Sequence, residues 1–176
     1  MNKQQRHTVL TRTGFTLLSG AGLLLAACGG SGTSSPGGGS GSAAAYTFST
    51  ANVPGLGTVL VNGDNHTIYT LSSEAGGKLT CTDANGCTKV WPDTELPSGV
   101  AAPVAANGVQ SSLLGTVKSA DGSLYSTYGG YPLYTYSGDS GPMQNHGQSI
   151  TSFGGTWYAI DASGKSVTTS TGGGGY

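Results

Sequence analysis

Thr67-Ile68-Tyr69-Thr70-Leu71-Ser72-Ser73-Glu74 is answered 65 residues later by Pro132-Leu133-Tyr134-Thr135-Tyr136-Ser137-Gly138-Asp139. Each run reads apolar, Tyr, Thr, apolar or aromatic, two small residues, acid. In a strand, residues i and i+2 share a face, so Tyr134 and Tyr136 point the same way and can lie on a neighbouring strand. Asp139 follows the strand end, where a carboxylate can accept backbone N–H bonds from a turn. A lone hairpin is marginal in water, so two copies imply two related β units that cover each other's apolar faces.

The flanking sequence extends this pattern. Thr58–Val61 and Thr67–Leu71 enclose the turn-rich Asn62-Gly63-Asp64-Asn65-His66, which predicts a hairpin. Thr116–Lys118, Ser123–Tyr128 and Pro132–Tyr136 alternate with Ala120-Asp121-Gly122 and Gly129-Gly130, which predicts a meander. Phe153–Ile160 reads as a strand turning at Asp161–Gly164 and returning through Lys165–Val167. The Pro-rich Pro92–Asn107 reads as loop with one short strand. No segment sustains an apolar period of 3.6, so the predicted fold is all-β: one small antiparallel domain over 46–167.

The ends have a different character. Lys3, Arg6 and Arg12 precede an uncharged run ending Leu25-Ala26-Ala27-Cys28, the layout of a signal segment over 1–27. Its apolar stretch is 14 residues long, short of the roughly 20 that span a bilayer. The four-residue ending resembles the bacterial lipobox, which implies cleavage before Cys28, a diacylglycerol thioether on that residue and an acyl group of the palmitate type on its amino group. More than one chain is what stable anchoring requires. Residues 28–45 then form a Gly/Ser-rich tether with a reach of about 20 to 25 Å, and 168–176 form a low-complexity tail expected to be disordered.

Processing at Cys28 would leave four lysines, no arginine and eight carboxylates, a charge of −4 in place of −1 for the whole chain. That excludes a basic footprint for nucleic acid and the bidentate clamp used for phosphate. It also leaves Cys81 and Cys87 as partners in an oxidising compartment. Their short loop would stabilise the fold on the order of 2 kcal/mol. A zinc site, the alternative, would need His66 and His146 as well, and the five-residue spacing is not that of a finger.

Taken together, these residues resemble bacterial secreted or lipoprotein repeats defined by Tyr-x-(Phe/Trp/Tyr)-x-x-Asp. Tyr134, Tyr136 and Asp139 fit the motif in full; in the first copy Leu71 replaces the aromatic beside Tyr69, and Glu74 replaces the aspartate. The resemblance extends to CTDANGCTKVWP, to Gly130–Tyr134 and to Gly154–Ala159, covering Thr58–Lys165. It implies export and a β-repeat domain, and it implies no reaction.

Candidate chemistry is sparse. Tyr125, Tyr128, Tyr131, Tyr134 and Tyr136 could form an aromatic platform for an envelope glycan or a protein partner, or could be cross-strand core pairs. Met143 and His146, with His66, are thin candidates for copper or haem. There is no Gly-x-Ser-x-Gly or Ser-x-x-Lys motif, and Asp93 and Glu95 read as solvated charges. The expectation is therefore a membrane-anchored, non-catalytic envelope module with no bound cofactor, in the outer membrane of a two-membrane host. A periplasmic redox or metal-handling protein is the alternative.

Overall fold

The computed structural model describes residues 43–168. The expected signal segment, Cys28, most of the tether and the tail beyond Thr168 lie outside the described residues. The described residues begin inside the expected tether. Ala43–Tyr46 form a 3-10 turn, Thr47 Oγ1 donates to the Ala43 carbonyl at 2.7 Å, and Gly63 N–H donates to the Ala44 carbonyl at 2.9 Å. A Cβ on Gly63 would come within 2.6 Å of Ala44 Cα, so this contact requires glycine.

The described residues are all-β, with short helical turns that include α1 (Cys87–Val90). The strands are β1 (Thr47–Val53), β2 (Gly57–Asn62), β3 (Tyr69–Leu71), β4 (Val104–Ala105), β5 (Leu114–Lys118), β6 (Leu124–Tyr128), β7 (Tyr131–Pro132), β8 (Thr151–Ser152) and β9 (Gly155–Ala159). They form three three-stranded sheets ordered β2-β1-β4, β3-β9-β8 and β5-β6-β7. The meander forms as expected: Gly129 and Gly130 both take positive φ, which closes β6 onto β7 through a two-residue turn whose twist matches the strands. Strand β1, absent from the sequence reading, pairs antiparallel with β2 and parallel with β4.

The two copies are related by a local two-fold axis. Tyr69 N–H donates to the Tyr134 carbonyl at 2.8 Å and Tyr134 N–H donates to the Tyr69 carbonyl at 3.0 Å, so each tyrosine pairs with its own counterpart. The relation extends through both halves. Leu60 N–H donates to the Ile160 carbonyl (2.9 Å), and 66 residues apart at each end Ser126 N–H donates to the Thr94 carbonyl (3.1 Å). Val59 bridges Asp161 as Tyr125 bridges Glu95; Tyr69 faces Ala159 as Tyr134 faces Asp93. The closing strand of each copy therefore completes the other copy's sheet. Residues 93–95, expected to be loop, are the first copy's closing segment.

Trp91 and Trp157, counterparts in this relation, stack with ring centroids 3.9 Å apart and planes 4° from parallel. Tyr69 sits edge-on to Trp91 at 5.6 Å and Tyr134 edge-on to Trp157 at 5.2 Å, the arrangement that ring quadrupoles favour. Both indoles are fully buried, in one cluster with Val53, Val59, Leu71 and the two cysteines. A second cluster gathers Phe48, Leu60, Ile68, Tyr128, Leu133 and Ile160. Replacing Trp157 with Ala should destabilise the domain by about 3–5 kcal/mol through the cavity and the lost stack. Urea unfolding measures this, and a loss below about 1 kcal/mol would mean that the stack is not the centre of the core.

Candidate functional site

Of the two acids that end the repeats, Asp139 acts across the axis and Glu74 within its own copy. Asp139 Oδ2 accepts the Tyr69 hydroxyl at 2.7 Å, and Oδ1 accepts the His146 backbone N–H at 2.9 Å. A carboxylate fastened to the loop seven residues on was half foreseen. Its second bond, to the tyrosine of the other copy, was not. Burial, then the hydrogen bond to Asp139, push the Tyr69 phenol's ionisation far up, so it remains a donor. In the first copy, Glu74 Oε1 accepts the Cys81 N–H, also seven residues on, at 2.7 Å.

The reciprocal cross-axis bond is left open. Burial, then the charge and close approach of the Glu74 carboxylate, raise the ionisation of the Tyr134 phenol, yet the two groups fall short of hydrogen-bond geometry, and neither Tyr134 Oη nor Glu74 Oε2 has another partner. The buried polar atoms without a partner among the described residues are these two and Trp91 Nε1. Each has a satisfied counterpart: Tyr69 Oη, Asp139 Oδ2, and Trp157 Nε1, which donates to Ser152 Oγ at 3.1 Å.

Tyr134 lies against a cleft of about 200 Å3 walled by the disulfide residue Cys81, by Leu79 and Tyr125, and by the carboxylates of Asp83, Asp93 and Asp121. Cys81 and Cys87 are bonded, with Cα atoms 5.0 Å apart. Asp93 is not the solvated charge expected from its loop-like sequence. Burial, followed by repulsion from Glu95 and Asp83, raises its carboxyl to about 6.

The clustered tyrosines do not form an exposed platform. Tyr128 and Tyr134 are buried, and Tyr125, Tyr131 and Tyr136 are half-buried; Tyr136 lies 4.5 Å from the Trp91 ring. Leu71, its counterpart, is buried opposite Trp157. The His146 side chain is 64 % exposed and its Nδ1 stands 3.1 Å from Asp139 Oδ1. Met143 packs on the core, with its N–H donating to the Asn65 carbonyl. Among the described residues, no three His, Cys, Asp or Glu converge as a metal-holding group.

These repeat units can be set against known proteins. Residues 115–161 match the model of a family described as a secreted repeat of unknown function. The matched span runs from β5 to just past β9 and is the second copy; the counterpart span, 66 residues earlier, is 49–95. No curated protein and no solved structure matches the chain. The segment similar to the secreted repeat thus has its closing strand placed in the sheet of the other unit.

The sequence reading missed Asp83 and Asp121 as site residues and misread Asp93. Comparison of the two copies at the 66-residue offset is the signal that exposes them, because Asp93 stands where the second copy has the fully buried Ala159. Tyr69→Phe should cost about 1–3 kcal/mol by orphaning Asp139 Oδ2, whereas Tyr134→Phe, which removes an unbonded hydroxyl, should cost less than half of that in the same denaturation experiment. Equal losses would contradict the asymmetry. Because the Asp93 carboxyl is raised in the folded state, its contribution is most favourable at acid pH and is lost as pH rises through about 6. Asp93→Asn should flatten the pH–stability profile in that window, and an unchanged profile would refute its assignment.

Proposed function

We propose that the protein is a membrane-anchored lipoprotein of the cell envelope whose folded domain is a non-catalytic binding module. The observation that carries the binding role is the cleft lined by Tyr134, whose buried hydroxyl has no hydrogen-bond partner while that of its counterpart Tyr69 is bonded to Asp139. Support for export comes from the secreted-repeat match over 115–161. Support for the anchor comes from Leu25-Ala26-Ala27-Cys28 after a short apolar run. In this reading lipid on Cys28 supplies the attachment; no helix among the described residues is long and apolar enough to cross a membrane.

Among the described residues, neither histidine ring bonds a serine, threonine or cysteine; the ring contact recorded is that of His146 with Asp139. Cys81 and Cys87 are consumed in the disulfide, and Tyr69, Trp91 and Trp157 in the core. The outer membrane of a two-membrane host is the proposed destination, since Gly29 stands where an aspartate would retain the protein at the inner one.

Fractionation of cells making the full chain tests the anchor. The wild type should sediment with membranes and Cys28→Ser should leave them, with the near-ultraviolet circular dichroism of the domain unchanged. A Cys28→Ser protein that stays membrane-bound would overturn this reading.

A further inference from the structure

We propose that the cleft bounded by Asp83, Asp93, Asp121, Tyr125 and Tyr134 binds the ammonium end of an alkylammonium chain, the group carried by a lysine side chain or a linear diamine. The inference rests on the binding-module reading above and names its ligand chemistry; it is independent of the lipid anchor.

The first argument is internal. The β1–β2 hairpin and the β5–β6 hairpin share one register: Ala51 faces Val59 as Val117 faces Tyr125. The cleft residues Ser119, Tyr125 and Asp93 therefore occupy the places held in the other half by Val53, Val59 and Ala159, all fully buried and apolar. One side of the axis is packed core, and its equivalent is an open cleft lined with acids. Polar groups at a place that the same fold fills with Val and Ala forgo burial energy, which is the pattern of a site kept for a ligand.

The second argument is the unpartnered hydroxyl. Tyr134 is 1 % exposed and lines the cleft, and its Oη has no hydrogen-bond partner. Burial and then the Glu74 carboxylate behind it are the main causes that raise its ionisation, so the phenol keeps its proton. Its counterpart Tyr69 Oη is closed off by Asp139 Oδ2 and by the Gly147 N–H at 3.3 Å. A buried hydroxyl without a partner, on a side chain that lines the cleft, has an oxygen free to accept a hydrogen bond.

Charge and shape select the ligand. Among the described residues the ion pair present is His146–Asp139, so no lysine forms an ion pair with the cleft carboxylates. Asp83 is tied to Thr88 Oγ1 and Asp121 accepts the Ser123 N–H at 3.0 Å, which fixes both in place without neutralising them. The acids ring the cleft and do not converge on one point, so they suit an ammonium group with three N–H donors better than a single chelated ion. Leu79, Cys81 and the Tyr125 ring offer apolar wall to the methylenes behind it.

Calorimetric titration of the disulfide-intact mature protein with cadaverine and with Nα-acetyl-lysine amide is the test, with the Nε-acetylated lysine derivative and calcium chloride as comparators. Both amines should bind, the Nε-acetylated form and calcium should bind at least about tenfold more weakly, and affinity should rise between pH 5 and 7.5 as Asp93 ionises. Asp93→Asn and Tyr134→Phe should each weaken the amines about tenfold or more, while Asp64→Asn, outside the cleft, should not. Near-ultraviolet circular dichroism confirms that each variant is folded. Absence of amine binding, tighter binding of calcium, or equal affinity for the Nε-acetylated form would each overturn the proposal. If amine binding fails while Cys28→Ser still leaves the membrane, the ligand assignment falls and the anchored reading stands; retention of Cys28→Ser with amine binding intact gives the reverse.

Discussion

The structure depends on a reciprocal pair of backbone hydrogen bonds between Tyr69 and Tyr134, with two stacked indoles beside it. Antiparallel pairing of counterparts places the local two-fold axis between the copies. Once that axis is set, Trp91 and Trp157 are brought face to face, and each closing strand arrives at the other copy's sheet. Sheet, core and cross-axis hydrogen bonds are thus consequences of one pairing, and neither copy can bury its aromatic residues without the other.

Symmetry in the backbone makes the asymmetry of side chains readable. Tyr69 is hydrogen-bonded to its acid, while Tyr134 stands near Glu74 without a completed bond; Trp157 has its serine and Trp91 Nε1 has no partner. Val53, Val59 and Ala159 are replaced across the axis by Ser119, Tyr125 and Asp93. One half carries the satisfied, densely packed version of the unit. The other gives up packing and hydrogen bonds around a single cleft. Such a division lets one half stabilise the domain while the other departs from the stable solution.

Much of the fold was legible because its signals are local. The Tyr-Thr runs, the Gly129-Gly130 turn and the alternation of β5 and β6 all follow from periodicity and turn chemistry over a few residues. Strand partners were not legible, since nothing in residues 155–159 says whether they pair with the strand of their own copy or of the other. Strand β1 was lost against the low-complexity stretch before it, although Thr47-Phe48-Ser49 followed by Pro54-Gly55 carries strand and turn signals. Residues 93–95 were hidden by Pro92 and Pro97, which suggested loop, yet each bridge there needs only one or two backbone groups. The cleft was illegible for a different reason: Asp83, Asp93 and Asp121 are scattered along the chain and come together only through the axis.

Strand exchange also sets an order of events for a chain that emerges from its amino end. The first copy's hairpin, β1–β2, can form as soon as it appears, but β3 waits for β9, which comes about ninety residues later. Until then β3 lacks its β9 partner and the Trp91 indole lacks the stacked Trp157 ring, and loop-closure entropy over that span slows the final pairing. A chain built this way stays incompletely folded until nearly all of it has been delivered. That delay is a hazard where unpaired edges meet one another, and an advantage where a polypeptide must be threaded through a pore before it folds.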